Sequence, residues 1–220
     1  MGEDNESRHN CCMHWIEKDG VSLPTRLGGH PALDLCNTWA GWGERTDVDD
    51  AKREWLPSYD VLAVWSGYAD LVDEATVAAL RAQAERHPRR AADVLARAHA
   101  LRAAVHDAVL DPGDGRALAG VTVEVRRAGA RVQPVPTAAG AVEWRVPADV
   151  GLELPVLAAA WSAADLLASE EVEKVAACPG VDCGWLFLDR RGRRRWCDMA
   201  ACGNRAKQAA HARRARAALS

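Results

Sequence analysis

Apolar residues return every three or four positions from Tyr59 to Leu110. One set is Leu62, Trp65, Ala69 and Val72; a second is Leu95, Ala98, Leu101, Val105 and Val109. That period predicts amphipathic helices. "HPRR" at 87–90 separates them and "DPGDG" at 111–115 stops the second, because proline and glycine interrupt helical backbone. Beyond that stop the period changes. "VTVEVRRAGARVQPV" and then "AVEWRVP" alternate at period two, which predicts a small antiparallel sheet or hairpin. A further helix is expected from about Pro155 to Ala168, with the proline in its first turn and an end near Ser169. Upstream, Gly28 and Gly29 turn the chain into an apolar stretch from Ala32 to Trp39, and the charged "ERTDVDDAKRE" reads as a loop. The expected organisation is a disordered leader over 1–24, one domain over 25–171, and a second module over 172–220. No internal repeat is visible.

Composition supports a buried core: 49% of the 220 residues are hydrophobic, with nine Trp against a single Phe. No apolar run is read as approaching the ~20 residues of a membrane span. The polar, acidic start lacks the pattern of a secretory signal. The expectation is a cytoplasmic chain, where thiols stay reduced and clustered cysteines suggest metal before disulfide. Charge is divided unevenly. Residues 189–216 hold ten Lys or Arg against two Asp, a formal +8, which leaves −11 on the remainder of a chain whose net charge is −3. A basic end on an acidic body suggests an anionic partner met by that end, the alternative being a solvated basic tail.

Cys178, Cys183, Cys197 and Cys202 form two C-x-x-x-x-C pairs thirteen residues apart. Two facing turns of this kind can supply the four soft ligands of tetrahedral zinc. Pro179 and Gly180 favour the first turn and Gly203 follows the last cysteine. Between the pairs, "WLFLD" and "RRRWC" read as strands of a hairpin, giving knuckle, hairpin, knuckle and terminal helix. So small a module cannot bury a core of its own, and metal binding would supply its folding energy. Two disulfides, or unligated buried thiols, are the alternatives. Four thiolates would close the coordination shell, so the zinc expected is structural, not catalytic. Cys11, Cys12 and His14 offer a weaker, second metal cluster.

From Cys178 onward the residues resemble the CGNR zinc finger. The shared features are Cys178 and Cys183, "FLD" at 187–189, the arginine run, "WC" at 196–197 and "CGNR" at 202–205. The upstream part resembles, more weakly, the ABATE domain that usually precedes this finger, through "GGHPALDLCNT", "YDVLAVW" and "HALRAAVHDAV". The resemblance implies a proposed stress-induced transcription regulator, with a DNA-binding finger attached to a sensory domain. The fold class expected is α+β: a mostly helical N-terminal domain with a small antiparallel β element, and a C-terminal treble-clef-like or zinc-ribbon-like finger.

On this reading duplex DNA meets Arg190, Arg191, Arg193, Arg194 and Arg195 on the hairpin, with Arg205, Lys207, Arg213, Arg214 and Arg216 on the terminal helix. Asn204 is placed to cap that helix. At ~100° per residue Arg205, Arg213 and Arg216 fall together and Lys207 and Arg214 opposite, so the helix has no one-sided basic stripe. The alternative is a zinc-stabilised protein-interaction adaptor. In the N-terminal domain Asp34, Asn37 and Thr38 sit in an apolar stretch and need partners. They could orient a small-molecule effector, with Arg45 and His99 as further walls, or form a structural cap. Trp39, Trp42, Trp55 and Trp65 could line an aromatic cavity or simply pack. Cys36 is expected as a buried small hydrophobe. Asp34, His99 and His106 could carry acid–base chemistry, but no nucleophile elbow, phosphate loop or open metal triad accompanies them, so no enzyme is expected. A homodimer is compatible with the sequence, and no membrane partner is expected.

Overall fold

The computed structural model describes residues 15–39, 41–42 and 54–217. Arg45, Cys11, Cys12 and His14 lie outside the described residues. The chain opens on an antiparallel pair, β1 (Trp15–Lys18) and β2 (Val21–Pro24), with Trp15 opposite Pro24. Part of the expected leader, residues 15–24, is therefore ordered. Asp19 and Gly20 both take positive φ, 50° and 82°, the tight hairpin turn whose twist matches its strands. Leu23 is fully buried and anchors the pair.

Helix α1 (Pro31–Cys36) has proline in its first turn and buries five of its six residues. Ser58 opens α2 (Tyr59–Tyr68) by accepting the Val61 amide at 3.3 Å, and Asp73 opens α3 (Glu74–Arg86) by accepting that of Thr76 at 2.7 Å. Helix α4 (Pro88–Leu110) starts on its proline and buries Val94, Ala98, Leu101, Val105 and Val109.

The alternating stretch after it is corrected by the structure. "VTVEV" belongs to α5 (Gly115–Gly129), not to a strand. The Asp114 carboxylate accepts the Arg116 and Ala117 amides at 2.8 and 3.1 Å, which starts a helix at this point. Ala117, Val121, Glu124 and Ala128 then fall on one buried face. Glu124 is the polar member of that face. Arg97 of α4 meets it with two bonds of 3.0 and 2.7 Å, and Arg127 adds a third. The sheet itself is shorter than expected: β3 (Gln133–Pro136) pairs antiparallel with β4 (Val142–Arg145).

A 3-10 turn over Ala148–Glu153 leads into α6 (Leu154–Ala168). Contrary to the sequence expectation, residues 148–168 reach the length and hydropathy of a membrane crossing. Much of the stretch is packed inside the protein, however, with Leu154, Val156, Leu157, Ala160, Ala163 and Leu166 buried. It is a core helix. Helices α4, α5 and α6 pack on one another, and α1 lies against α4 and α6.

The C-terminal module begins with β5 (Val175–Ala177), paired antiparallel with β6 (Leu186–Leu188). Leu186 and Leu188 are buried in the same core as the helices. A π turn at Met199–Gly203 precedes the terminal α7 (Asn204–Ala217). The fold class is thus α+β, mostly helical with small antiparallel sheets and a C-terminal cysteine cluster.

Candidate metal centre and nucleic-acid interface

The first cysteine turn is the loop of the β5–β6 hairpin. Cys178 donates its amide to Trp185 O at 2.8 Å, Cys183 to Gly180 O at 3.0 Å, and Gly184 to Cys178 O at 3.3 Å. Asp182 and Gly184 take φ of 59° and 64°, bending the chain around its own sulfurs. Space is tight at Gly180: a Cβ there would lie 3.0 Å from Cys202 Sγ and 3.3 Å from Cys202 Cβ. The second turn is built differently. Asp198 accepts the Ala200 amide at 2.7 Å and, through its carbonyl, that of Gly203 at 3.1 Å, which holds Cys202 inward.

These turns bring all four sulfurs within 4.8 Å of one another, and every one of the cysteines is buried. Cys183 Sγ to Cys197 Sγ and Cys197 Sγ to Cys202 Sγ are both 3.6 Å. A tetrahedron with Zn–S of about 2.3 Å has edges of about 3.8 Å, whereas a disulfide needs about 2.05 Å. None of the four is joined in a disulfide. The Cys183 sulfur works to lower the Cys178 pKa, but those of Cys197 and Cys202, with burial, push it well above the ordinary thiol value. Four such groups cannot ionise side by side without a cation. The donor set fits a closed, structural zinc site.

The expected hairpin between the cysteine pairs is not there. "RRRWC" forms no strand, because the Asp189 carboxylate accepts the amides of Arg193 at 3.0 Å and Arg194 at 2.8 Å and closes the segment into a turn. The partner of β6 is β5, on the other side. Two of the five arginines in the turn are engaged by the protein. Arg190 makes a bidentate pair with Glu171 at 2.5 and 2.9 Å, which holds that carboxyl below its ordinary range. Arg194 lies 4.3 Å over the Phe187 ring and donates to Leu27 O at 3.1 Å and Cys197 O at 2.6 Å. Arg191, Arg193 and Arg195 are exposed, Arg195 stacking 5.1 Å from Trp196.

Helix α7 buries no residue. Asn204 is its first residue and not its cap: Asn204 Nδ2 of the side chain donates to Ala200 O at 3.1 Å, and capping falls to Asp198 on the preceding turn. Arg205, Lys207 and Arg213 line one groove with Arg195, Trp196 and Val181. Lys207 thus reaches the same groove, although the helical wheel sets it opposite Arg205. Arg214 and Arg216 are exposed in its last turn.

The residues expected to orient an effector form a joint. Asp34, 4% exposed, accepts the Gly28 amide at 2.8 Å and Arg26 Nε at 3.1 Å. Burial raises its pKa against these two bonds. Asn37, 1% exposed, grips β6 from both sides: Nδ2 donates to Leu186 O at 2.9 Å and Oδ1 accepts Leu186 N–H at 2.9 Å. Thr38 donates to Leu35 O at 2.7 Å and accepts from Arg102 at 3.1 Å. His99 Nε2 is 3.0 Å from Leu56 O. Cys36 is fully buried, and burial pushes its thiol far above the usual range.

The tryptophans are dispersed. Trp65 is packed in the core, Trp55 against Trp15, Trp42 on His106, and Trp39 under Arg102. Trp185 Nε1 donates to Trp39 O at 2.7 Å, and Trp42 donates its amide to Cys183 O at 2.9 Å. The joint thus reaches the metal turn itself. Nothing local in the sequence signals Asn37 as a clamp or Arg194 as a bracket, since their partners lie 149 and 167 residues away.

Two family models match the chain. The ABATE model, described as "Putative stress-induced transcription regulator", covers residues 29–170, and the CGNR zinc finger model covers residues 174–215. No curated protein matches it.

Proposed function

This chain belongs to the ABATE family and ends in a CGNR zinc finger that holds a structural Zn²⁺ on Cys178, Cys183, Cys197 and Cys202, and from that premise we propose that it is a transcription regulator whose finger grips duplex DNA. The observation that carries the reading is α7. A fourteen-residue helix with no buried residue, only Ala206 and Ala210 half-covered, has little tertiary packing to stabilise it, and isolated helices of that length are marginal in water. Its Arg205, Lys207 and Arg213 share a groove with Arg195. A polyanion laid in that groove would add contacts along the exposed side of the helix.

Phosphates are met by Arg191, Arg193, Arg195, Arg205, Lys207 and Arg213, with Arg214 and Arg216 at the far end. Arg190 and Arg194 fix the turn, because both are bonded to the protein. Asn204 stays at the helix start beside Arg205. The helical domain is the regulatory unit, responding to a small-molecule effector. The protein acts by binding and not by catalysis: Asp34, His99 and His106 serve the joint and the core.

The test is fluorescence anisotropy of a labelled duplex titrated with the zinc-loaded protein at several salt concentrations. Six phosphate contacts predict a slope of log affinity against log salt of about −5. Lys207→Gln and Arg213→Gln each reduce that slope by about one, Arg190→Gln leaves it unchanged, and Cys197→Ser abolishes binding. Affinity that ignores salt, or that survives Cys197→Ser, overturns the proposal.

A further inference from the structure

Helix α6 is apolar on its outer side as well as its inner one. Ala158, Trp161, Ala164 and Ala168 lie toward a cleft, interrupted by Ser162 and Asp165. The β3–β4 pair leans over that side, and Trp144 of β4, 58% exposed, faces the same cleft. The opening has a volume of about 660 Å³, within the ~300–1,000 Å³ of small-molecule sites. A large aromatic half in solvent on a four-residue strand is costly to keep for packing alone, since it covers little. The rim is acidic. Asp70, Glu143 and Asp165 contribute carboxylates, and Arg145, the basic group among them, is paired with Glu143. Asp70, which also pairs with Arg26, and Asp165 keep side chains that are 81% and 83% exposed.

We infer that this cleft binds an organic monocation with a flat apolar body: the ring packs between Trp144 and Trp161, and the ammonium lies against Asp165 and Asp70. Indole rings stack on a flat aromatic body, and a carboxylate beside them attracts the ammonium it carries. A neutral ligand would gain nothing from Asp165, and an anion would be repelled by it.

The same two carboxylates reach the finger. Asp70 pairs with Arg26, and Asp165 lies 4.0 Å from His30. Between Arg26 and His30, the Leu27 carbonyl accepts from Arg194 at 3.1 Å and the Gly28 carbonyl accepts the Leu188 amide at 2.8 Å. A ligand ammonium that draws Asp70 from Arg26, or Asp165 from His30, acts on the stretch that carries the hairpin. That consequence rests on the DNA-binding reading; the binding site does not.

The experiment is calorimetric titration of the zinc-loaded full chain, without DNA, using phenethylammonium, neutral 2-phenylethanol and anionic 3-phenylpropanoate. Saturable one-to-one binding of the cation is expected, weakened about tenfold by Trp144→Ala and by Asp165→Asn. Both positions are exposed, so neither variant threatens the core. The proposal falls if the three probes bind alike, if none saturates below about 10 mM, or if both variants bind as the parent does. It also falls if Trp144→Ala splits a dimer while no probe binds either form, for the cleft is then a contact between copies. Failure of the duplex titration leaves these outcomes readable.

Discussion

Replacing Asn37 by alanine isolates the contact that joins the two modules. The side chain is nearly fully buried and satisfies both backbone groups of Leu186, each at 2.9 Å. Alanine leaves a buried N–H and a buried C=O without partners. Each orphaned group costs about 1–3 kcal/mol, partly relieved if water enters. The expected loss is therefore about 3 kcal/mol. For a chain of this length it corresponds to a fall in Tm of about 6–12 °C. The loss should be local. Leu186 and Leu188 leave the core when β6 detaches, whereas α4 and α5 keep their own packing and the Arg97–Glu124 pair. Amide hydrogen exchange separates these cases: protection at Leu186 and Leu188 drops in Asn37→Ala, and protection at Val105 and Val121 does not. Asn37→Asp should be nearly as damaging, because a carboxylate can still accept the Leu186 amide but faces the Leu186 carbonyl without a hydrogen to offer. A variant less than about 1 kcal/mol below the parent, with unchanged exchange at Leu186, refutes the clamp.

The metal is tested by chelation under reducing conditions: one Zn²⁺ per chain is released, the thiols of Cys178, Cys183, Cys197 and Cys202 become reactive to a thiol reagent, and Cys36 stays silent in its buried position. Circular dichroism should lose the α7 contribution and keep most of that from α4, α5 and α6, whose core does not include the sulfurs. A fully helical apo form would contradict a metal-built finger. Acid sensitivity has a second source in His30, whose pKa is lowered mainly by burial. Its Nδ1 accepts the Ala32 amide at 3.3 Å, a bond that only the neutral ring can take. The folded state therefore binds the proton less readily than the unfolded chain, and stability falls as pH drops below about 6.5. His30→Asn keeps a capping oxygen without a titrating group, so its stability should decline less between pH 7 and 5; parallel curves would refute the assignment.

What was legible in the sequence was what local physics decides. Helices α4 and α6 carry their own period and stops, and the four cysteines announce a metal by chemistry and spacing. The stretch before residue 87, read as one helix through Ala69 and Val72, is instead broken into α2 and α3 where Asp70 takes a φ of 60° and Asp73 caps a new start. Alternation misled at α5 because three valines at period two also sit on a helix, where Val121 is buried and Val123 is 52% exposed. The buried face of that helix is completed by Glu124, a residue that hydrophobicity assigns to solvent and that Arg97 makes tolerable inside. Gly120 adds a signal visible only in three dimensions: a Cβ there would lie 2.9 Å from Ala104 Cβ, so α5 approaches α4 closely.

The motif "LDLCNT" shows why the rest was hidden. Read locally, Asp34, Asn37 and Thr38 are polar residues without partners, which invites a ligand. Their partners come from Arg26 and Gly28 just upstream, Arg102 on α4 and Leu186 far downstream. Such pairings have no periodicity to betray them. They also change what the two modules can do. A flexibly tethered finger would bind DNA whatever the helical domain does. Here Leu186 and Leu188 are part of the helical core, Trp185 and Cys183 bond to residues 39 and 42, and Arg194 holds Leu27. On the proposed reading, a ligand that favoured one arrangement of residues 26–30 would also act on the arginine turn, because the Leu27 and Gly28 carbonyls bond to Arg194 and Leu188. Coupling through so short a path requires no long relay, only that the ligand bind the two arrangements with different affinity.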